Sequence, residues 1–137
     1  MALAWIFGVP ALLLLLYVFM TAPNPRRRAK NLPMLYAHRG LHGPEATENG
    51  LAAFERACRV KLGIEFDVRF TRDNEVVVFH DDALERMFGS PERVDGLTLQ
   101  ELRSIPLPDG GTMPTLDEVL QLVGARVPLL IEIKNCR

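Results

Sequence analysis

Hydrophobic and polar residues alternate most regularly in the stretch Gly63–Asp82, near the middle of the chain. This alternation predicts a strand over Ile64–Thr71, because successive side chains of a strand point to opposite faces. Three charged residues, Glu65, Asp67 and Arg69, then share one face. The apolar residues between them share the other face, so the strand should be largely buried. A buried carboxylate needs a cation or several hydrogen-bond donors, which makes these acids candidate site residues.

A second strand is predicted over Glu75–Phe79, after a turn at residues 73–74. If that turn is a two-residue hairpin loop, Asp67 lies opposite His80. The pattern therefore predicts that two carboxylates and one imidazole converge at one end of a β-ribbon. The alternative is a solvent-facing strand with ordinary surface acids, which the apolar neighbouring face disfavours.

Helices and a further strand are predicted on either side of this ribbon. A short strand over Met34–Ala37 leads into His38 and Arg39, and a helix follows with Asn49 as its N-cap. Later helix starts are predicted from a cap at Asp81 or Asp82, with Asp82 preferred, and from two capping boxes that begin at Thr98 and Thr115.

The last predicted strand, Leu129–Lys134, is apolar except for Glu132 and Lys134, which share one face. The apolar residues around them favour burial of both. Strands that alternate with helices at this spacing predict an α/β fold with parallel pairing. Polar residues follow the strand ends, where barrel and doubly wound folds place their chemistry. Three or four strands are fewer than the eight of a barrel, so the sequence looks cut short.

The segment Ala2–Ala22 contains no charged residue, and as a helix it would be about 31 Å long. That length predicts a transmembrane helix. A cleaved signal peptide is the alternative, but the sequence has neither a basic n-region nor an A-x-A-like cleavage site. We therefore expect residues 1–23 to form a retained membrane anchor.

A basic linker, residues 24–33, follows the predicted anchor and carries Arg26, Arg27, Arg28 and Lys30. Because positive flanks stay in the cytoplasm, we expect a single-pass protein whose domain, residues 34–137, is cytoplasmic. The basic flank can also contact anionic lipids. The remaining chain has 12 of the 16 basic residues and all 17 acidic ones, a net charge of −5. This acidity argues against nucleic-acid binding.

The candidate site residues are His38, Arg39, Glu65, Asp67, His80, Glu132 and Lys134. Three carboxylates without thiolates suit one hard divalent cation, Mg²⁺ or Ca²⁺. Two histidines can act as general acid and base near neutral pH, and the two cationic side chains can hold an anion. This combination fits phosphoryl chemistry better than acyl transfer, for which the sequence has no nucleophile elbow.

The chain resembles the glycerophosphodiester phosphodiesterase family in four motifs: AHRG, GIEFDVRFTRDNEVVVFHDDALERM, PTLDEVL and LLIEIK. They contain an HR pair, an E-x-D triplet, an HD pair and a later E-x-K, in that order, and cover Leu35–Lys134. The resemblance implies the N-terminal portion of a TIM-type (β/α)8 barrel and one divalent cation. It also implies hydrolysis of glycerophosphodiesters to glycerol 3-phosphate and an alcohol, with lysophospholipids as further candidate substrates.

The roles that the resemblance implies are acid–base catalysis for His38 and His80, metal binding for Glu65, Asp67 and Glu132, and phosphate binding for Arg39 and Lys134. One histidine would take a proton from a glycerol hydroxyl that attacks phosphorus, and the other would protonate the departing alcohol. Water would then open a cyclic intermediate. Spacing does not decide which histidine plays which part.

The chain departs from the family pattern at two points. The family has a Pro-Glu-Asn-Thr-like run before its first helix, whereas this chain has Ala46–Gly50, so Glu48 is left out of the predicted ligand set. The later strands of the family barrel do not occur in this sequence. The alternatives are therefore an anchored fragment without activity and a related barrel phospholipase with another head-group preference.

Overall fold

The computed structural model describes residues 2–21 and 35–134, with side chains from residue 8 onward in the first range. The chain divides into two compact units, Met1–Asn31 and Leu32–Arg137. The predicted basic linker, residues 24–33, lies outside the described residues.

The described part of the first unit is a helix, α1, over Ala2–Thr21, with Pro10 inside it. Near its end, the hydroxyl of Thr21 donates to the carbonyl of Tyr17 at 2.8 Å. Among the described residues, no helix is both long and apolar enough to cross a membrane. The predicted transmembrane anchor is therefore not supported by the structure.

The described residues of the second unit form a four-stranded sheet flanked by helices. Its elements are β1 (Tyr36–His38), α2 (Leu51–Arg59), β2 (Gly63–Phe70), β3 (Val76–Val78), α3 (Glu85–Phe88), a 3₁₀ turn (Val94–Gly96), α4 (Leu99–Arg103), α5 (Leu116–Val123) and β4 (Leu129–Ile133). The strands and helices that the pattern predicts are present, with ends shifted by one or two residues.

Strand β2 is the centre of the sheet. Strands β1 and β4 pair with it in parallel, and β3 pairs with it in an antiparallel sense. Glu65 has register partners in both β1 and β4, and Val68 has partners in both β3 and β4. Strands β1 and β3 therefore share one edge of β2, while β4 occupies the other. The predicted α/β class with parallel pairing is confirmed.

The register of the β2–β3 hairpin differs from the prediction. Phe70 pairs with Val76, and the N–H of Phe79 donates to the carbonyl of Asp67 at 3.0 Å. The loop consists of residues 72–74, and Asn74 has a left-handed φ of 63°. A three-residue loop of this kind shifts the pairing by one residue. Asp67 therefore lies opposite Phe79, and the predicted pairing of Asp67 with His80 is wrong.

The apolar face of β2 forms the main core. Ile64, Phe66 and Val68 are buried in a cluster with residues of α2 and α5. The rings of Phe54 and Phe66 pack with their centroids 5.4 Å apart. A second buried cluster, which includes Val77 of β3, is formed with the segment between β3 and α5. Because side chains alternate along β2, this packing leaves its charged residues on the face away from α2 and α5.

The observed first residues of the helices can be compared with the predicted caps. Both capping boxes, at Thr98 and Thr115, are present and confirm the prediction. The predicted cap at Asn49 is wrong, because its φ of 58° is left-handed and α2 begins after Gly50 instead. The predicted cap at Asp82 is also wrong, since Leu84 precedes α3 and the Asp82 carboxylate accepts from Arg93 at 2.7 Å.

Candidate functional site

Three carboxylates from two neighbouring strands converge on the charged face of the sheet. Glu65 and Asp67 lie two residues apart on β2, and Asp67 pairs in register with Glu132 of β4. One carboxylate oxygen of each lies within 4.8 Å of the others. Asp67 is 1% exposed, Glu65 is half-buried and Glu132 is exposed. The structure thus brings together the three acids that were predicted as metal ligands.

Lys134 joins two of these acids. Its ammonium lies 3.1 Å from the Asp67 carboxylate and donates to Glu132 at 2.6 Å. The hydrogen bond to Glu132, together with the contact to Asp67, raises the pKa of Lys134 against the effect of desolvation. The side chain of Glu132 is 57% exposed, so its predicted burial is wrong. Strand β4 pairs with β2 on one side and has no strand on its other side among the described residues.

Arg39 holds the acids from the β1 side. Its backbone N–H donates to the Glu65 carboxylate at 3.2 Å, and its guanidinium Nε lies 3.6 Å from the Asp67 carboxylate. Arg39 has a left-handed φ of 56°, and Gly40 follows with a φ of 82°. A Cβ on Gly40 would lie 2.8 Å from a ring carbon of Phe54. This tight turn after β1 directs both the N–H and the side chain of Arg39 toward the acids.

His38 is the last residue of β1 and pairs in register with Glu65. Its Nε2 lies 3.9 Å from the Glu65 carboxylate, and its side chain is 70% exposed. The predicted histidine therefore lies beside the acids with most of its ring open to solvent. Such a ring can exchange protons with a molecule bound at the carboxylates.

His80 lies just after β3 and is held at two points. Its carbonyl accepts two hydrogen bonds from the Arg69 guanidinium, at 3.0 and 2.9 Å. Its ring Nδ1 lies 2.6 Å from the carboxylate of Asp81. Burial raises the pKa of Asp81, but hydrogen bonds from His80 and Arg86 outweigh that effect and lower it below its usual range.

A chain of ion pairs links His80 to the acids. The guanidinium of Arg86 donates to Asp81 at 2.5 Å and binds the carboxylate of Glu48 through two nitrogens. Glu48 in turn accepts from Arg39 at 2.9 Å. Burial raises the pKa of Glu48, but the hydrogen bonds from Arg86 and Arg39 lower it further than burial raises it.

The sequence prediction missed four residues of this network: Glu48, Asn49, Asp81 and Arg86. The amide of Asn49 donates to the Asp67 carboxylate at 3.3 Å, and its buried carbonyl oxygen has no partner among the described residues. The family-like Glu-Asn pair was the available signal for Glu48 and Asn49. Nothing in the local pattern singles out Arg86, whose partner Glu48 is 38 residues away.

The donor set fits a hard divalent cation. Glu65, Asp67 and Glu132 provide oxygen atoms close enough to reach one ion. Arg39 and Lys134 contribute two positive charges against these three negative ones. Since Glu48 and Arg86 balance one another, the cluster keeps an excess of negative charge that a cation would neutralise.

Comparisons with known proteins agree with this geometry. Residues 38–137 match the model of the glycerophosphoryl diester phosphodiesterase family. The chain is 36% identical over 111 residues to a glycerophosphodiester phosphodiesterase of Caldanaerobacter subterraneus, an alignment that covers 74% of this chain and 45% of that protein. It is also 35% identical over 124 residues to a human lysophospholipase D, covering 87% of this chain and 38% of the human protein.

Solved structures show the same relationship. A phosphodiesterase from Oleispira antarctica, in complex with the product sn-glycerol-3-phosphate, matches with a TM-score of 0.70 and 32% identity. That match covers 77% of this chain and 46% of the Oleispira chain. This chain thus spans less than half the length of the relatives that it matches.

Proposed function

Since the chain belongs to the glycerophosphoryl diester phosphodiesterase family, we propose that it forms part of an enzyme that hydrolyses glycerophosphodiesters. The products would be glycerol 3-phosphate and an alcohol. The observation that carries this proposal is the convergence of three carboxylates beside an exposed histidine, on one face of the parallel strands β1, β2 and β4. Activity is a proposal for the whole protein, because the chain spans less than half of its relatives.

We assign the cation site to Glu65, Asp67 and Glu132. A divalent cation bound there would supply positive charge to polarise a phosphodiester oxygen. The chain's own contribution is to fix the three carboxylates before substrate arrives. Asp67 is buried among donors, with Asn49 and Lys134 in contact with its oxygens. Preorganised ligands of this kind lose little freedom when the site fills.

The acid–base pair that we propose is His38 and His80. His38 lies at the edge of the acid cluster and can take or give a proton at Nε2. His80 binds Asp81 through Nδ1, which leaves its Nε2 for proton transfer. Imidazole is the side chain that most often serves as general acid or base in catalysis.

Phosphate binding is assigned to Arg39 and Lys134. Both side chains contact Asp67, so they lie where an anion would approach the carboxylate cluster. Their charges would offset the repulsion between the phosphodiester and the three acids.

Lysophospholipids are a second substrate class, because the human lysophospholipase D aligns with 87% of this chain. Cleavage on the alcohol side of the phosphate is the same chemistry for both substrates.

A single-pass membrane location with a cytoplasmic domain stays a prediction from the sequence.

The proposed function is tested by the release of glycerol 3-phosphate from glycerophosphocholine, with and without a metal chelator. Lysophosphatidylcholine, scored by choline release, separates the two substrate classes. The variants are His38→Ala and His80→Ala, and the matched control is His42→Ala, because His42 is an exposed histidine in the loop between β1 and α2.

We expect chelation to remove turnover and each of the first two substitutions to reduce it by about 10²- to 10⁴-fold. The His42→Ala variant should stay close to wild type. Turnover that survives chelation, or near-normal activity of both His38→Ala and His80→Ala, would contradict the proposal.

A further inference from the structure

The ion pairs around Arg86 connect the two sides of the proposed active site. Its guanidinium binds the Asp81 carboxylate on one side and the Glu48 carboxylate on the other. Asp81 contacts His80, while Glu48 contacts Arg39. One side chain thus links the β3 side of the site with the β1 side.

The position of Arg86 does not suggest a role in the core. It lies on α3, a helix of four residues, none of which is buried. Its side chain is 48% exposed, and an ion pair to a half-exposed arginine contributes only modestly to folding stability. The arrangement is therefore better explained by what the ion pairs hold in place than by the stability that they add.

The contact between Asp81 and His80 determines where the imidazole proton lies. An ionised carboxylate only accepts hydrogen bonds, so Nδ1 of His80 must carry a proton in the 2.6 Å contact. In the neutral ring, Nε2 is then unprotonated and can accept a proton from substrate. The second oxygen of Asp81 accepts from Arg86 at 2.5 Å, which fixes the carboxylate plane.

We propose that Arg86 is a positioning residue that holds Asp81 against Nδ1 of His80 and thereby keeps Nε2 of His80 available for proton transfer. This inference rests on the proposed function, in which His80 is half of the acid–base pair. In the described structure Arg86 pairs with Asp81 and Glu48, and not with the three carboxylates assigned to the cation. Its bond to Glu48 keeps the His80 side in register with Arg39 across the site.

The chain offers a matched control in Arg93. This arginine also bridges two carboxylates, those of Asp82 and Asp95, and its side chain is 46% exposed. Neither of its partners is hydrogen-bonded to a histidine in the described structure. Replacing Arg93 therefore removes a second two-carboxylate bridge, whose partners are more exposed than those of Arg86, without removing a partner of Asp81 or His80.

The test compares Arg86→Met, Arg86→Lys, Asp81→Asn and Arg93→Met. The first readout is the tautomer of His80, from ¹⁵N-detected histidine NMR with His80→Gln as the assignment control. The second is kcat and KM for glycerophosphocholine, and urea unfolding reports stability for every variant.

We expect wild type and Arg93→Met to show a single tautomer with the proton on Nδ1. Arg86→Met should show a mixture and a fall in kcat of about 10- to 100-fold, with a smaller change in KM. Asp81→Asn should shift the tautomer further, because an amide can also donate to Nδ1. Arg86→Lys should fall between wild type and Arg86→Met, since an ammonium cannot bind both carboxylates through a rigid fork.

A wild-type tautomer and kcat in both Arg86→Met and Arg86→Lys would overturn the inference. If wild type releases glycerol 3-phosphate and these variants keep the tautomer, the proposed function stands and the inference fails. If wild type releases none but the tautomer shifts in Arg86→Met, the positioning role stands and the proposed function fails.

Discussion

Asp67→Asn distinguishes a cation ligand from a structural ion-pair partner. Asp67 is 1% exposed and contacts the cationic groups of Lys134 and Arg39 at 3.1 and 3.6 Å. A buried carboxylate with two cationic partners is also what a purely structural ion pair would look like. The two roles predict different stabilities when the charge is removed.

The magnitude follows from the distances. At an effective dielectric constant of about 20, each attraction to Lys134 and Arg39 is about 5 kcal/mol. Repulsion from Glu65 and Glu132, whose ligand oxygens lie within 4.8 Å, is about 3 kcal/mol each or more. Removing the charge also removes a desolvation cost of several kcal/mol. Because the side chains of Arg39 and Lys134 keep other carboxylate partners, Asp67→Asn should lower the metal-free stability by about 0–2 kcal/mol.

The assay is urea unfolding with and without Mg²⁺ or Ca²⁺. At about 100 times Kd, a cation that binds the folded state adds about 2.7 kcal/mol to the wild-type free energy of unfolding. For Asp67→Asn we expect at least a tenfold loss of affinity, which reduces the gain to about 1.4 kcal/mol or less. Asp109→Asn is the control, because Asp109 accepts from the backbone of Thr47 and Gly111 outside the cluster and should leave the metal gain intact.

A different outcome would refute the reasoning. If Asp67→Asn loses about 3–5 kcal/mol without metal, as broken buried ion pairs do, and keeps the full metal gain, Asp67 is a structural partner of Lys134 and Arg39.

Two further predictions concern the structure that supports the site. Gly40→Ala should cost about 2 kcal/mol or more and Gly89→Ala about 1 kcal/mol or less in thermal unfolding. Both glycines have a positive φ, but a Cβ at Gly40 would lie 2.8 Å from a phenyl carbon, while one at Gly89 meets nothing within 4 Å; equal costs would contradict this. Burial raises the pKa of Asp109, but backbone N–H groups of Thr47 and Gly111 outweigh it and lower the pKa. Its stabilising effect is therefore present above the unfolded pKa of about 3.9 and lost as pH falls through the folded value. Asp109→Asn should accordingly lower the unfolding free energy at neutral pH and not in strong acid, whereas a pH-independent loss would contradict this.

The sequence was sufficient to predict the elements and the convergence of the acids. Alternation along β2 put Glu65 and Asp67 on one face, and the parallel α/β pattern put Glu132 on a neighbouring strand. Both follow from local periodicity and from the connection rules of α/β folds. Capping boxes predicted the starts of α4 and α5 for the same reason, since their hydrogen bonds span three residues.

The local sequence pattern could not predict the hairpin register or the ion-pair network. Asn74 adopts a left-handed φ that makes a three-residue loop, and the sequence Asp-Asn is equally compatible with a two-residue turn. Arg86 reaches Glu48 across 38 residues of sequence, through contacts that depend on how α3 packs. Asn49 was expected to cap α2, but its left-handed backbone turns its amide to Asp67 instead.

We propose that one cation binds Glu65, Asp67 and Glu132, and that Arg39 and Lys134 hold the phosphate beside His38 and His80. A crystal structure with Mn²⁺ and glycerol 3-phosphate, with anomalous data collected at the manganese absorption edge, tests this arrangement directly. We expect one anomalous peak at about 2.0–2.4 Å from oxygens of all three carboxylates, with the phosphate next to it. A peak bound elsewhere, or carboxylates that stay paired with Arg39 and Lys134 at saturating Mn²⁺, would contradict it.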